Sequence, residues 1–75
     1  MVDDAPKINP RQFVRLPGLA AARERVGLPL AALARRAGVS LETVRRLERG
    51  EHEAYFSTAQ RLAEALDVPV EDLIQ

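Results

Sequence analysis

The sequence has 75 residues, enough for one domain but too few for a deep catalytic cleft, because a chain of this length buries only about 60 to 65% of its unfolded surface. It contains no cysteine and a single histidine, His52, which argues against disulfides, thiol chemistry and a cysteine- or histidine-rich zinc site. No apolar stretch approaches the roughly 20 residues that span a bilayer, and the N-terminus is acidic where a secretory signal would be basic. These features predict a cytoplasmic protein with no membrane segment, metal or cofactor.

The net charge is zero, but the charges are unevenly distributed along the chain. Residues 1–17 carry three basic and two acidic side chains, whereas residues 18–50 carry seven arginines and three glutamates. Residues 51–75 carry one arginine and six acidic side chains. The middle of the chain therefore has a net charge of +4 and the end a net charge of −5, so the electrostatic field of the molecule has a direction.

Residues 1–16 are predicted to form an N-terminal arm, and residues 17–75 to form a helical domain. The arm contains two prolines, and its apolar residues Ile8, Phe13 and Val14 follow no helical period. Two interpretations are open. Either the arm is partly disordered, as chain termini commonly are, or its apolar residues pack on the domain or on a second protomer.

The domain opens with two predicted helices. The first is an alanine-rich run over residues 19–26 that ends at Gly27, a residue type favoured just past a helix C-terminus. The second carries Pro29 in its first turn, where proline is tolerated, and ends at Gly38. Its apolar residues recur at helical spacing: Leu30, Leu33, Ala34 and Ala37.

The tripeptide Gly38-Val39-Ser40 predicts a tight turn into the third helix. Its glycine can adopt a left-handed backbone, its valine can fill the space beneath the turn, and its serine can cap the helix that follows. This third helix is predicted to run to about Arg49 and to stop at Gly50.

The third helix has two unlike faces when its residues are placed at 100° intervals. Measured from Leu41, the first residue of the helix, Val44 and Leu47 fall on one side. The opposite side carries the charged residues Glu42, Arg45, Arg46 and Arg49. One face is therefore predicted to enter the core, and the other to form an arginine-rich surface.

Two more helices follow an acidic loop. The fourth begins near Tyr55 and Phe56, and residues 67–69 end it; its buried stripe is predicted to contain Leu62, Ala63 and Leu66. The fifth, over residues 70–74, carries two acidic residues in its first turn, where they suit the helix dipole. Five helices joined by connections of a few residues predict a compact all-α domain.

Two helices joined by a tight glycine-containing turn are the unit that presents its second helix to the major groove in DNA-binding proteins. Six segments in and around this unit carry a recognisable pattern: Arg23, Gly27-Leu28, Leu33-Ala34, Gly38-Val39-Ser40, Leu47-Glu48-Arg49-Gly50 and Leu62-Ala63-Glu64-Ala65-Leu66. Through these segments residues 19–73 resemble the Cro/repressor-type (Xre) helix-turn-helix family. The resemblance implies a five-helix, lambda-repressor-like fold, binding of double-stranded DNA at an operator, and a symmetric homodimer. It also implies that Arg23 and Glu48 form an inward structural ion pair.

The resemblance further implies which residues contact DNA. It places Ser40, Leu41, Glu42 and Arg46 nearest the bases, and Thr43, Arg45 and Arg49 at the groove walls or phosphates. Arg46 is expected to be the main base reader and to prefer guanine, because a guanidinium fork matches guanine O6 and N7. Leu41 is expected to contact a thymine methyl group, and Glu42 to accept a hydrogen bond from a cytosine amino group.

Three features depart from the family pattern and count against strong operator binding. Pro29-Leu30 stands where the family often has a serine or threonine and a glutamine that grip a phosphate, and the loop after the third helix, residues 51–53, is acidic where a basic loop is common. Tyr55 replaces the usual small polar cap of the fourth helix, and with Phe56 it forms an aromatic pair that is either buried or exposed. His52 is either an exposed loop residue or a pH-sensitive contact.

The sequence therefore predicts a DNA-binding transcriptional regulator, and the arm or the fifth helix, with Val70, Leu73 and Ile74, as its dimer interface. The alternative is a protein-interaction module of the same fold that holds a partner protein, such as a toxin, a polymerase subunit or a larger regulator. Its contact residues would be Leu30, Leu41, Tyr55, Phe56 or the arm. An enzyme is not expected, because no nucleophile, base and orienting group occur together in the sequence.

Overall fold

A computed structural model describes residues 9–75, so Ile8 and the rest of the first eight residues lie outside the described part of the chain. Within residues 9–75 there are five α-helices: α1 (Leu19–Val26), α2 (Leu30–Ala37), α3 (Leu41–Glu48), α4 (Phe56–Leu66) and α5 (Glu71–Ile74). The same residues contain two short strands, β1 (Phe13–Val14) and β2 (Ala54–Tyr55), which pair antiparallel. The predicted five-helix fold is confirmed, and the strand pair is a minor addition to it.

Helix boundaries lie within about one residue of those expected, which is the usual uncertainty of helix ends. Pro29 precedes α2 rather than lying in its first turn: its backbone is extended, with ψ of 153°, and its carbonyl accepts the hydrogen bond of Leu33 N–H at 3.0 Å. This is the geometry of an N-cap residue. The third helix ends at Glu48, with Arg49 as its cap, and α5 begins at Glu71 rather than at residue 70.

The core is made mainly of aliphatic side chains, and every helix contributes to it. Helix α2 packs mainly on α4 and α3, while α1 packs mainly on α5. The largest fully buried side chains are Leu19, Leu33, Val44, Leu62, Leu66 and Leu73. Gly18, just before α1, donates its backbone N–H to the Leu73 carbonyl at 2.9 Å, so the two ends of the helical array are joined directly.

Residues 10–16 pack on the helices. Leu16 is buried in the core, and Val14 packs against it from β1. The backbone N–H groups of Phe56 and Ser57, in the first turn of α4, donate to the carbonyls of Gln12 at 2.8 Å and Pro10 at 3.0 Å. The N-terminal segment thus supplies the cap that the Tyr55 side chain does not make. The predicted division of the chain between residues 16 and 17 stays a prediction.

The two adjacent aromatic residues at the start of α4 have different environments. Phe56 is buried, whereas Tyr55 is 46% exposed. The Tyr55 ring stacks on Phe13, which is 58% exposed, with ring centroids 4.8 Å apart and an interplanar angle of 24°. One aromatic residue therefore belongs to the core, and the other belongs to an exposed aromatic pair on the strands.

Candidate nucleic-acid interface

The turn between α2 and α3 fixes the direction in which α3 leaves the core. Gly38 has φ of 73°, a left-handed conformation that glycine adopts without steric cost, and Val39 packs against the core from the turn. Ser40 is the N-cap of α3, and its hydroxyl accepts a hydrogen bond from Thr43 N–H at 3.0 Å. The hydroxyls of Ser40 and Thr43 also lie 2.8 Å apart. The Ser40 side chain is therefore committed to the cap, which holds the first turn of α3 in place.

Helix α3 has the two faces that the residue spacing predicts. Val44 and Leu47 are 0% and 2% exposed and anchor the helix to the core. The remaining predicted contact residues are exposed together: Leu41, Glu42, Thr43, Arg45, Arg46 and Arg49. Ser40, at the start of the helix, is exposed as well. The structure thus brings the predicted residues onto one accessible surface, the α3 outer face; their contacts with DNA stay a prediction.

Carboxylates accompany each of the three arginines of this face. Glu42 Oε2 accepts a hydrogen bond from Arg46 Nε at 2.9 Å, and its other oxygen lies 3.6 Å from Arg45 Nη1. An Arg49 nitrogen lies 3.9 Å from a Glu51 oxygen. Each pair is exposed, so each contributes only about 0.5 kcal/mol to stability. Their larger effect is to reduce the positive charge of the α3 outer face, a feature that the spacing of Glu42 from Arg45 and Arg46 could have indicated.

The acidic loop after α3 folds back beside this face. The carboxylate of Glu53 lies 4.0 Å from Arg15 Nε, and Arg15 Nη1 donates to the Gly50 carbonyl at 3.4 Å. Arg46 Nη1 lies 3.3 Å from Nε2 of His52. An open groove of about 510 Å³ separates α3 from the strand pair, and Arg46, His52 and Tyr55 are among its lining residues.

A largely buried arginine–glutamate pair joins α1 to α3. Arg23 of α1 donates two hydrogen bonds to Glu48 of α3, one of them from Nη2 at 3.2 Å, and a third to the Leu28 carbonyl at 3.1 Å. The side chains of Arg23 and Glu48 are only 16% and 10% exposed. The hydrogen bond with Glu48 and the charge of Glu48 raise the pKa of Arg23, against the opposing effect of burial. The structure therefore brings together the two residues of the predicted structural ion pair.

Across residues 9–75, no helix is long and apolar enough to cross a bilayer. In the same stretch, no three acidic, histidine or cysteine side chains lie close enough to hold a metal ion.

Comparisons with known proteins identify the family. A family model for a helix-turn-helix, HTH_3, matches residues 19–73. The restriction-modification controller protein C.AhdI from Aeromonas hydrophila is 30% identical, with a TM-score of 0.72, over 75% of this chain and 85% of the other. An HTH_3 family transcriptional regulator from Vibrio cholerae is also 30% identical, with a TM-score of 0.70, but the match covers 75% of this chain and only 32% of that protein.

The hypothetical transcription factor NHTF from Neisseria has the same fold, with a TM-score of 0.74 at 23% identity over 95% of this chain and 85% of the other. No curated protein gives a significant match. The matched family and fold are those of regulators that bind DNA. The chain therefore belongs to the Xre/Cro-type helix-turn-helix family, HTH_3.

Proposed function

We propose that this protein regulates transcription by inserting α3 into the major groove of an operator. The observation that carries the proposal is the α3 outer face, whose polar side chains are exposed together while Val44 and Leu47 hold the helix on the core. B-DNA has a major groove about 12 Å wide, which admits an α-helix. The Ser40 cap fixes the start of the helix, where Leu41 and Glu42 are exposed and accessible to such a groove.

Binding should depend more on fit to one sequence than on bulk charge. The exposed arginines of α3 are partly balanced by Glu42 and by Glu51 of the following loop, while Glu53 of that loop faces Arg15. Neutralisation of phosphates by free cations supplies most non-specific affinity, so a surface whose positive charge is largely offset binds random DNA weakly. The base-reading residues must then supply a large share of the operator affinity.

The proposal is tested by titrating the protein with mixed genomic DNA at two salt concentrations and by selecting bound sites from a random DNA pool. We expect binding at low salt, a fall in affinity as salt increases, and enrichment of one sequence. A folded protein that binds no DNA at low salt would contradict the proposal.

Arg46→Ala is expected to weaken binding to the selected site by about 1 to 3 kcal/mol and to relax the preference at one base position, expected to be guanine. The measurement is the affinity of the variant for the selected site and for each single-base change. Arg25→Ala is a matched control, since Arg25 is an exposed arginine of α1 that pairs with Asp72 at 3.9 Å, away from α3. A loss that is uniform over all sequences would assign Arg46 to a phosphate instead.

The same proposal includes a homodimer, which would place two α3 helices about 34 to 36 Å apart on successive major grooves. Leu73 is fully buried within its own chain and is not available for an interface. Val70 and Ile74 are half-buried, so they and the N-terminal segment are the candidate contacts. Sedimentation of the protein with and without the selected site measures the stoichiometry; a single protomer on a single half-site would contradict the dimer.

One observation favours a second function, the binding of a partner protein. The stacked rings of Phe13 and Tyr55 are about half exposed and line the groove beside α3, and Leu41 of α3 is also exposed. Exposed aromatic residues are enriched in protein interfaces. Phe56 belongs to the core and Leu30 is half-buried, so neither offers a full contact. A partner-binding role would be favoured by a protein that is folded but fails the DNA titration.

A further inference from the structure

His52 lies against the arginine that is expected to read a base. Arg46 Nη1 is 3.3 Å from His52 Nε2, while Arg46 Nε donates to Glu42 at 2.9 Å. The guanidinium is thus held at two of its three nitrogens, by one residue of its own helix and one of the following loop. A guanidinium has five N–H donors, so the edge formed by Nη1 and Nη2 keeps donors for a two-point contact with guanine.

We propose that His52 is a positioning residue that sets the orientation of the Arg46 guanidinium for base readout. The inference rests on the proposed function, because it assigns a role within the same DNA-reading surface. An arginine side chain has many rotamers, and fixing them before binding reduces the entropy lost on contact with DNA. Glu42 contacts one edge of the guanidinium and His52 contacts a second point, so the two contacts together favour one orientation of its plane. The pair borders the open groove beside α3, where an incoming base edge can reach it.

The contact requires a neutral imidazole. Arginine only donates hydrogen bonds, so the acceptor is the lone pair on His52 Nε2, and the ring proton is on Nδ1. Protonation removes that lone pair and places a second cation beside Arg46. Histidine is the side chain that changes charge between about pH 5 and pH 8. Acidification should therefore release Arg46 and weaken its base preference.

The two carboxylates that flank His52 in the loop face arginines other than Arg46. The charged and titratable residues that line the groove with His52 are Glu42, Arg46, Glu53 and Tyr55, and Glu51 precedes His52 in the loop. Glu51 faces Arg49 and Glu53 faces Arg15, so the two flanking carboxylates have arginine partners of their own. A protonated His52 would also attract phosphates without regard to sequence, so acidification should raise non-specific affinity while it lowers discrimination.

The experiment compares wild type, His52→Ala and His52→Gln on the selected site and on its variant at the base position whose preference is lost in Arg46→Ala. Affinities are measured near pH 8 and near pH 5.5, a range over which histidine changes its charge. We expect His52→Ala to reduce the discrimination about fivefold near pH 8, and wild type to lose a similar factor on acidification. His52→Gln should preserve discrimination at both pH values, because its amide oxygen accepts a hydrogen bond in either condition.

Two controls separate the outcomes. In the Arg46→Ala background, His52→Ala should cause no further loss of discrimination, since the arginine that it positions is absent. The inference would be overturned, and the proposed function left intact, if His52→Ala discriminates as well as wild type and wild-type discrimination does not change with pH. A wild-type protein that binds no DNA at all would overturn both.

Discussion

The Glu48→Ala variant is expected to lose about 3 kcal/mol of unfolding free energy, because it leaves the Arg23 guanidinium largely buried without its charged partner. Arg23 would keep its hydrogen bond to the Leu28 carbonyl but lose both of its bonds to Glu48. For a domain of this size the loss corresponds to a fall of about 12 °C or more in melting temperature. Thermal and urea unfolding, followed by circular dichroism, measure the effect.

Glu42→Ala is the matched control on the same helix. Its carboxylate contacts Arg45 and Arg46 at the surface, so its removal should cost no more than about 1 kcal/mol. Equal melting temperatures for the two glutamate variants would show that the Arg23–Glu48 pair contributes no more than a surface pair does.

Gly18→Ala is expected to destabilise the fold by about 2 to 3 kcal/mol through a steric clash. A Cβ atom at this position would lie 2.1 Å from the Asp72 carbonyl oxygen and 2.9 Å from that of Gln75. These are backbone atoms, so α5 itself must move, and the hydrogen bond from Gly18 to Leu73 must lengthen. The φ of Gly18 is −91°, which alanine adopts readily, so the loss comes from contact rather than from backbone strain.

Gly50→Ala is the comparison variant, in which backbone strain rather than a steric clash causes the loss of stability. Gly50 has φ of 75°, but a Cβ atom there would meet no atom within 4 Å. Its cost is that of a left-handed alanine, about 1 to 2 kcal/mol. Urea unfolding of both variants should therefore show the larger loss for Gly18→Ala. If Gly18→Ala were as stable as wild type, α5 would not pack as closely on the start of α1 as the structure shows.

The helices and the turn of this fold could be predicted because their determinants are local. Glycines mark the ends of α1, α2 and α3, Ser40 marks the start of α3, and the spacing of Val44 and Leu47 identifies its buried face. These are short-range signals that depend on neighbouring residues. The same signals are the ones by which the chain resembles its family, which is why fold and family could be recognised together.

The strand pair could not be predicted for the opposite reason. Phe13 pairs with Tyr55 across more than half of the chain, and each strand has only two residues, too few for an alternating pattern. The sequence indicated that α4 lacks the usual polar cap at Tyr55, but not which groups accept the hydrogen bonds of its first amides. The acceptors are the backbone carbonyls of Gln12 and Pro10, and no side-chain pattern indicates a backbone contact of this kind.

The exposed face of α3 was predicted from the sequence, but the contacts among its side chains were not. Helical spacing placed the arginines of α3 on one face, and the same spacing allows Glu42 to reach both Arg45 and Arg46. Which contacts form depends on side-chain rotamers and on the path of the loop after α3. The contact between His52 and Arg46 depends on that loop, and a sequence pattern does not describe its path.

The backbone capping of α4 also determines the minimal folding unit. A fragment truncated to start at Pro17 would lose Leu16 from the core and the two carbonyls that accept from Phe56 and Ser57. Unpaired amides in the first turn would fray α4, the helix on which α2 rests. We therefore expect such a fragment to be less cooperative in unfolding than the full chain, even though it retains every helix.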